Sequence, residues 1–220
     1  MIEWRPQRFG RKRFRDVADP VIEPVWVGER VLVHVDGPTV SIVDADGDRV
    51  SDAKEIEEAV AAAALADQLV ADAYLTRQAT RSTVGAFIGE VKIPTAGEMT
   101  AQFVFGSGRS RRAELGADAG AAATVLAGDT PLALVAVDLL SIERQPLLDV
   151  PLLERKRLLD SALRESELVR LSAYVRPPVD PWIGSWRSLG FTTLAYKAAN
   201  SRYRPGADND AWALVQIPRR

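Results

Sequence analysis

The run Glu23-Pro24-Val25-Trp26-Val27-Gly28-Glu29-Arg30, continued by Val31-Leu32-Val33-His34-Val35, decides how the rest of the chain is read. Gly28 sets a turn between two β-type segments, and Asp36-Gly37 is a tight hairpin signal into Thr39-Val40-Ser41-Ile42-Val43. A second such pair, Asp46-Gly47, follows, so residues 22–50 are expected as a β-meander. In that meander His34 is out of phase with Val31, Val33 and Val35. It therefore belongs to the opposite face, as a surface or half-buried structural side chain.

Beyond the meander, residues 53–73 are rich in Ala, Glu and Leu, with Ile56, Val60, Ala64 and Gln68 on one stripe. This predicts an amphipathic helix whose first turns carry Glu55, Glu57 and Glu58 near the positive end of the dipole. Residues 69–76 then read as a strand. Residues 85–105 alternate loosely as strands, most clearly at Ala101-Gln102-Phe103-Val104-Phe105. The Gly-, Arg- and Ala-rich segment near 106–128 fits no phosphate-loop spacing and is expected as a flexible surface connection. Residues 132–140 form a buried-strand run, and Pro151 opens a helix over 151–159. A strand over 166–174, a break at the prolines 177–181, a short helix over 182–188 and strands within 190–197 and 212–216 complete the reading.

With 220 residues and 47% hydrophobic side chains, the chain can bury one sizeable core. The formal net charge of -2 gives no bulk bias toward nucleic acid, and no apolar run is long enough to span a membrane. No apolar segment follows the basic start, so a secretory signal is not expected, and a soluble, cytoplasmic protein is. Zero cysteines exclude disulfides, thiolate nucleophiles and thiolate metal sites. The only lysines are Lys12, Lys54, Lys92, Lys156 and Lys197, so few amines are available for covalent chemistry.

Residues 1–19 form a basic extension. Arg5, Arg8, Arg11, Lys12, Arg13 and Arg15 are interleaved with Phe9 and Phe14, charges suited to phosphates and rings suited to bases. The other reading is a solvated, poorly ordered terminus.

Glu23-Pro24, Gly28 and Arg30, then Asp72, then Asp138-Leu139-Leu140 with Pro151-Leu152-Leu153-Glu154-Arg155-Lys156-Arg157-Leu158-Leu159, and finally Lys197, Ser201, Tyr203, Gly206 and Trp212 stand in a family order. They resemble the adenylation domain of the ATP-dependent DNA ligases over residues 20–216, most specifically around 138–159. The resemblance implies an α+β fold of the DNA ligase and mRNA capping enzyme nucleotidyltransferase type, ATP-grasp-like, with antiparallel sheets flanked by helices around a central cleft. Residues 20–220 form that domain, and the OB-fold domain that follows it in the family is expected to be missing.

In that family a lysine attacks the α-phosphate of ATP, carboxylates hold the metal, an aromatic ring stacks on adenine and two lysines contact the phosphates. The resemblance puts Val25 in the nucleophile's seat and Val27 in that of the neighbouring aspartate. Tyr74 and Thr192 take the seats of the carboxylates, Val137 that of the ring, and Leu214 and Gln216 those of the phosphate lysines. Arg30, Tyr74, Val137, Thr192 and Lys197 are thus the nucleotide-pocket equivalents. Lysine adenylation needs an amine in line with the phosphate and preorganised cations around it. The expected function is a ligase-like domain that does not adenylate itself, requires no cofactor or metal, and binds DNA or a DNA-repair protein. The alternative is a divergent active ligase that joins nicks through a lysyl-AMP on Lys197, using ATP and Mg²⁺.

Overall fold

A computed structural model describes residues 3–78 and 131–218. The strands read at 85–105 and the connection at 106–128 lie outside the described residues.

The expected meander does not form as one unit: β3 (Glu29–Asp36) and β4 (Thr39–Val43) make a hairpin, whereas β2 (Pro20–Pro24), which follows a short β1 (Arg8–Phe9), joins a separate sheet and does not pair with β3. Asp36 pairs with Thr39 across the two-residue turn, where Gly37 takes a positive φ of 56°. At the other end of β3, Gly28 has φ 156°, and a Cβ there would lie 2.0 Å from the Leu75 carbonyl oxygen. Only glycine lets the chain turn so close to β5 (Gln68–Thr76).

Helix α1 (Lys54–Ala63) is shorter than its sequence window. Ile56, Val60 and Ala63 are its buried stripe, but Ala64 is extended and bridges to Leu163. Gln68 pairs with Asp36 instead of continuing the helix. Strand pairing along the full length of β3 outweighs the helix propensity of residues 64–73.

In the second described stretch, β6 (Ala133–Ile142) runs antiparallel to β5, turns into β7 (Gln145–Pro146) and enters α2 (Leu152–Ala162). β8 (Val169–Leu171) returns parallel to β6. Next come α3 (Asp180–Ser188), β9 (Thr193–Ala198), β10 (Asp208–Asn209) and β11 (Trp212–Gln216).

The strands make a six-stranded sheet, β4-β3-β5-β6 with β7 and β8 both on β6, and a three-stranded sheet, β11-β9-β2. Val31, Val33, Ala71, Ala73, Leu134 and Ala136 bury one face of the large sheet under α1 and α2. Its other face meets the small sheet. There Leu32 and Leu140 pack with Val21, Tyr203 and Trp212, and Val135 and Val137 pack with Trp26, Leu194 and Tyr196. The antiparallel α+β layout expected from the sequence is the one observed.

His34 is half-buried on the face opposite Val31, Val33 and Val35, level with Ser41 and Val70. Burial pulls its imidazole below the ordinary histidine pKa. The unfolded chain therefore binds more protons than the folded chain just below pH 6.5, and stability falls as pH drops through that window toward the lowered folded value. Thermal midpoints followed from neutral to mildly acidic pH should fall less steeply for His34→Asn than for the wild type, and parallel curves would show that His34 contributes nothing. Gly28→Ala should lower stability by at least about 1–3 kcal/mol in urea unfolding, given the strain at that φ and the close approach to Leu75.

Candidate functional site

Between the sheets lies a layer of charge. Glu23 on β2 holds two ammonium groups: Oε1 pairs with Lys197 of β9, and Oε2 with Lys156 of α2. All three are buried. The Lys197 ammonium lies 4.2 Å from the Trp212 ring centre and 5.9 Å from that of Phe9, and the Lys156 ammonium 5.3 Å from that of Tyr174. Burial alone would push the Glu23 carboxyl up, but Lys156 and Lys197 together hold it below the usual carboxylate range. Burial pulls the Lys197 ammonium down from its ordinary value, with Glu23 opposing and Lys156 reinforcing the shift.

Two arginine–aspartate forks flank this hub. Arg30 donates to both Asp72 oxygens at 2.9 and 2.5 Å and to the Gln7 carbonyl at 2.5 Å. The Tyr203 hydroxyl donates to Asp72 at 2.8 Å and accepts from the Gln7 amide at 2.8 Å. Burial works against the Arg30 charge, yet Asp72 holds it above its ordinary range. Arg155 donates to both Asp138 oxygens at 2.9 and 2.8 Å and to the carbonyls of Val150 and Ser201. The Trp212 indole donates to the Ser201 hydroxyl at 2.9 Å. Glu23, Arg30, Asp72, Asp138, Arg155, Lys197, Ser201, Tyr203 and Trp212, singled out for their order in sequence, are thus neighbours tied to one another.

Several of the seats that the resemblance assigns to the reaction lie at the edge of this layer. Val25 leaves β2 half-buried, its amide donating to the Thr193 carbonyl at 3.0 Å. Gln216 pairs with Thr193, and Leu214 pairs with Ala195, which also pairs with Glu23. Strand pairing thus brings Val25, Thr192, Leu214 and Gln216 to one end of the small sheet. Thr192 and Gln216 are exposed, Leu214 is 47% exposed and Val27 61%. Trp26 turns inward, edge-on to Phe191 at 4.8 Å, and its indole donates to the Ser172 hydroxyl.

On the facing sheet, Arg30, Tyr74 and Val135 stand in one row, and Val137 is buried beyond Val135. Burial pushes the Tyr74 phenol up to about 12, so it is neutral at physiological pH and offers no anionic oxygen to a metal. Among the described residues no group of three His, Asp or Glu side chains could hold a metal ion.

The basic segment differs from both sequence readings. It is not a loose terminus: β1 pairs in parallel with β10, and Gln7 is fully buried, its carboxamide oxygen accepting from the Arg204 amide and from Asn209. Nor do its rings face outward for bases, since Phe9 packs on Trp212 at 5.7 Å and Phe14 on Tyr196 at 4.9 Å. Arg5 pairs with Glu3 and Arg8 with Asp208. Arg11, Lys12, Arg13 and Arg15 are exposed, Arg15 lying over the Phe14 ring. Sequence reasoning missed Gln7 and the Glu23–Lys156 pair. The one available signal was Lys156, a lysine on the apolar side of a helix that begins at Leu152.

No family model matches this sequence, and no curated protein matches it either. Solved structures do. The ligase domain of M. tuberculosis LigD is similar over 97% of this chain and 59% of its own, at TM-score 0.63 and 20% identity. A mycobacterial DNA ligase D complexed with ATP and MES matches over 95% and 58%, at TM-score 0.61 and 19% identity. The Chlorella virus DNA ligase-adenylate matches over 97% and 67%, at TM-score 0.52 and 9% identity. The chain spans somewhat under three-fifths of the length of the two LigD structures. At these identities the likeness establishes the fold, that of the DNA ligase nucleotidyltransferase domain.

Removing one partner of a buried ion pair strands the other. Glu23→Gln leaves Lys156 and Lys197 without a counter-charge and should cost about 3–5 kcal/mol in chemical denaturation. Lys197→Met leaves Glu23 paired with Lys156 and should cost clearly less. Equal losses would show that the carboxylate is not the hub.

Proposed function

We propose, from the ligase-type nucleotidyltransferase fold of this chain, that it is a ligase-like domain that does not adenylate itself and serves in the cytoplasm as a binding or assembly module in DNA repair. The observation that carries this reading is the pairing of aliphatic side chains in the reactive seats with a remaining lysine that is held elsewhere. Val25 has no amine, Leu214 and Gln216 have no charge, and the Lys197 ammonium is engaged by Glu23 beneath Trp212 and Phe9. A preorganised charged donor is typically worth roughly 10²–10³ in rate, so losing several removes the reaction. Tyr74 and Thr192 supply no carboxylate for Mg²⁺. The role needs no bound ATP or metal.

The solved neighbours are DNA ligases, which supports nucleic acid as a partner class, with a DNA-repair protein as the other candidate. Arg11, Lys12, Arg13 and Arg15 are the exposed cations suited to backbone phosphates, whereas Arg5 and Arg8 already have acidic partners. The interaction is then with phosphates alone, because Phe9 and Phe14 are occupied within the fold.

Incubation of the purified protein with α-labelled ATP and Mg²⁺, with and without nicked DNA, should give no covalent nucleotide. A labelled adduct would overturn the reading, and its mapping to Lys197 would establish an active ligase. Replacing Arg11, Lys12, Arg13 and Arg15 by Gln should weaken duplex binding and flatten its salt dependence, by about 0.9 in log–log slope for each phosphate no longer neutralised. Unchanged affinity would remove these residues from the interface.

A further inference from the structure

At the end of the large sheet away from the seats that the resemblance assigns to the nucleotide, the strands leave a recess. It lies at the Asp36–Gln68 pair of β3 and β5, six residues or about 20 Å along the sheet from the Arg30–Tyr74 pair. Its volume is about 380 Å³ and it opens to solvent. Sites for small ligands typically measure about 300–1,000 Å³, so one small molecule fits. Trp4, Val70 and Pro146 supply apolar walls, and Asp36, Gln68 and Arg144 the polar one. Behind them, Trp4 and Val70 pack on the buried cluster that contains Val21, Leu32, Leu140 and Trp212, which fixes the apolar side of the recess.

The polar wall is a chain of three side chains. Gln68 Nε2 donates to Asp36 Oδ1 at 2.5 Å, and Arg144 Nε donates to Gln68 Oε1 at 2.6 Å. The carboxamide is oriented by both bonds and keeps the carboxylate and the guanidinium from pairing with each other. Asp36 Oδ2 and Nη1 and Nη2 of Arg144 make no hydrogen bond or ion pair among the described residues. A free anionic acceptor and free cationic donors thus stand one amide apart, beside apolar walls. Arg144 is held there against its backbone preference. Glu143 and Arg144 fill the turn from β6 to β7 with φ of 47° and 62°, the left-handed region that favours glycine and asparagine. The turn is pinned to β5, since the Glu143 amide donates to the Gln68 carbonyl at 2.8 Å and a Glu143 carboxylate oxygen accepts from the Asp67 amide at 2.9 Å. Backbone strain that the surroundings enforce is a mark of positions that carry function.

We propose that this recess binds a small zwitterion of the α-amino-acid type, its ammonium on Asp36 Oδ2, its carboxylate on the Arg144 guanidinium and an apolar side chain against Trp4, Val70 and Pro146. One molecule then satisfies both free ends with charge-assisted bonds. A ligand with only an anion would meet Asp36 as a like charge, and a ligand with only a cation would meet Arg144 so. The recess is remote from Val25, Tyr74, Leu214 and Gln216 and includes none of Arg11, Lys12, Arg13 and Arg15. It therefore stands whether or not the chain adenylates itself or binds DNA.

The test is titration calorimetry on the whole chain with free phenylalanine, with phenethylamine, which lacks the carboxylate, and with hydrocinnamate, which lacks the ammonium. Wild type should bind phenylalanine at least about fivefold more tightly than either analogue, the worth of one solvent-facing ion pair at the upper end of its range. Asp36→Asn should weaken phenylalanine about fivefold and leave hydrocinnamate no weaker. Arg144→Gln should weaken phenylalanine by a similar factor and leave phenethylamine no weaker, because each variant removes one end of the clamp. Both side chains are exposed and Asn suits the same turn, so these variants keep the fold. Arg157→Gln, on the exposed side of α2 and outside the recess, should bind all three ligands as wild type does. No binding of phenylalanine to wild type, equal binding of the three ligands, or phenylalanine affinity unchanged in either Asp36→Asn or Arg144→Gln would each overturn the site.

Discussion

Glu23 holds two ammonium groups on one carboxylate inside the protein, and three elements meet at that point. β2 brings the carboxylate, β9 brings Lys197 and α2 brings Lys156. None of these groups can be moved alone, since each would leave an unpaired charge in a dry interior. The Arg30–Asp72 and Arg155–Asp138 forks extend the constraint to β3, β5, β6 and, through Gln7 and Tyr203, to both ends of the described chain. The aromatic faces of Trp212 and Phe9 lie against the Lys197 ammonium and that of Tyr174 against the Lys156 ammonium, and the Asp138 and Asp160 carboxylates add attraction to Lys197 and Lys156 respectively.

That arrangement explains how the ligase-type fold is held together by its frame residues. Frame residues that are paired and buried are mutually dependent, so changing one destabilises the rest. Most of the seats that the resemblance assigns to the reaction are different. Val27, Thr192, Leu214 and Gln216 face solvent at the end of the small sheet, where substitutions typically shift stability by less than about 0.5 kcal/mol. Replacing charged groups there with neutral ones leaves no orphaned partner. The frame side chains lie inside and Val27, Thr192, Leu214 and Gln216 at the solvent edge, while Val137 is buried and Tyr74 and Val25 are half-buried.

The N-terminal segment shows how composition alone can mislead. Six cations and two aromatic rings in eleven residues read as a nucleic-acid tail, yet the segment is threaded into the domain. Gln7 serves as a connector there, giving its carbonyl to Arg30, its amide to Tyr203 and its side-chain oxygen to Arg204 and Asn209. A glutamine among arginines gives no sign of this, because three of its partners, Tyr203, Arg204 and Asn209, are 196 to 202 residues away in sequence.

By itself the sequence determined the hairpin at Asp36-Gly37, the alternation that turns His34 away from Val31, Val33 and Val35, the helix after Pro151 and the order of the frame residues. These follow from local rules: side-chain period, turn chemistry and spacing along one chain. The strand read at 69–76 is the one observed, and only the tertiary structure decided that α1 stops at Ala63, where Ala64 turns extended and bridges to Leu163. Only the tertiary structure decided which charges share partners, since Glu23 and Lys156 are 133 residues apart and Asp72 and Tyr203 are 131 apart. Electrostatic partnership depends on distance and burial in space, and neither is written in the order of residues.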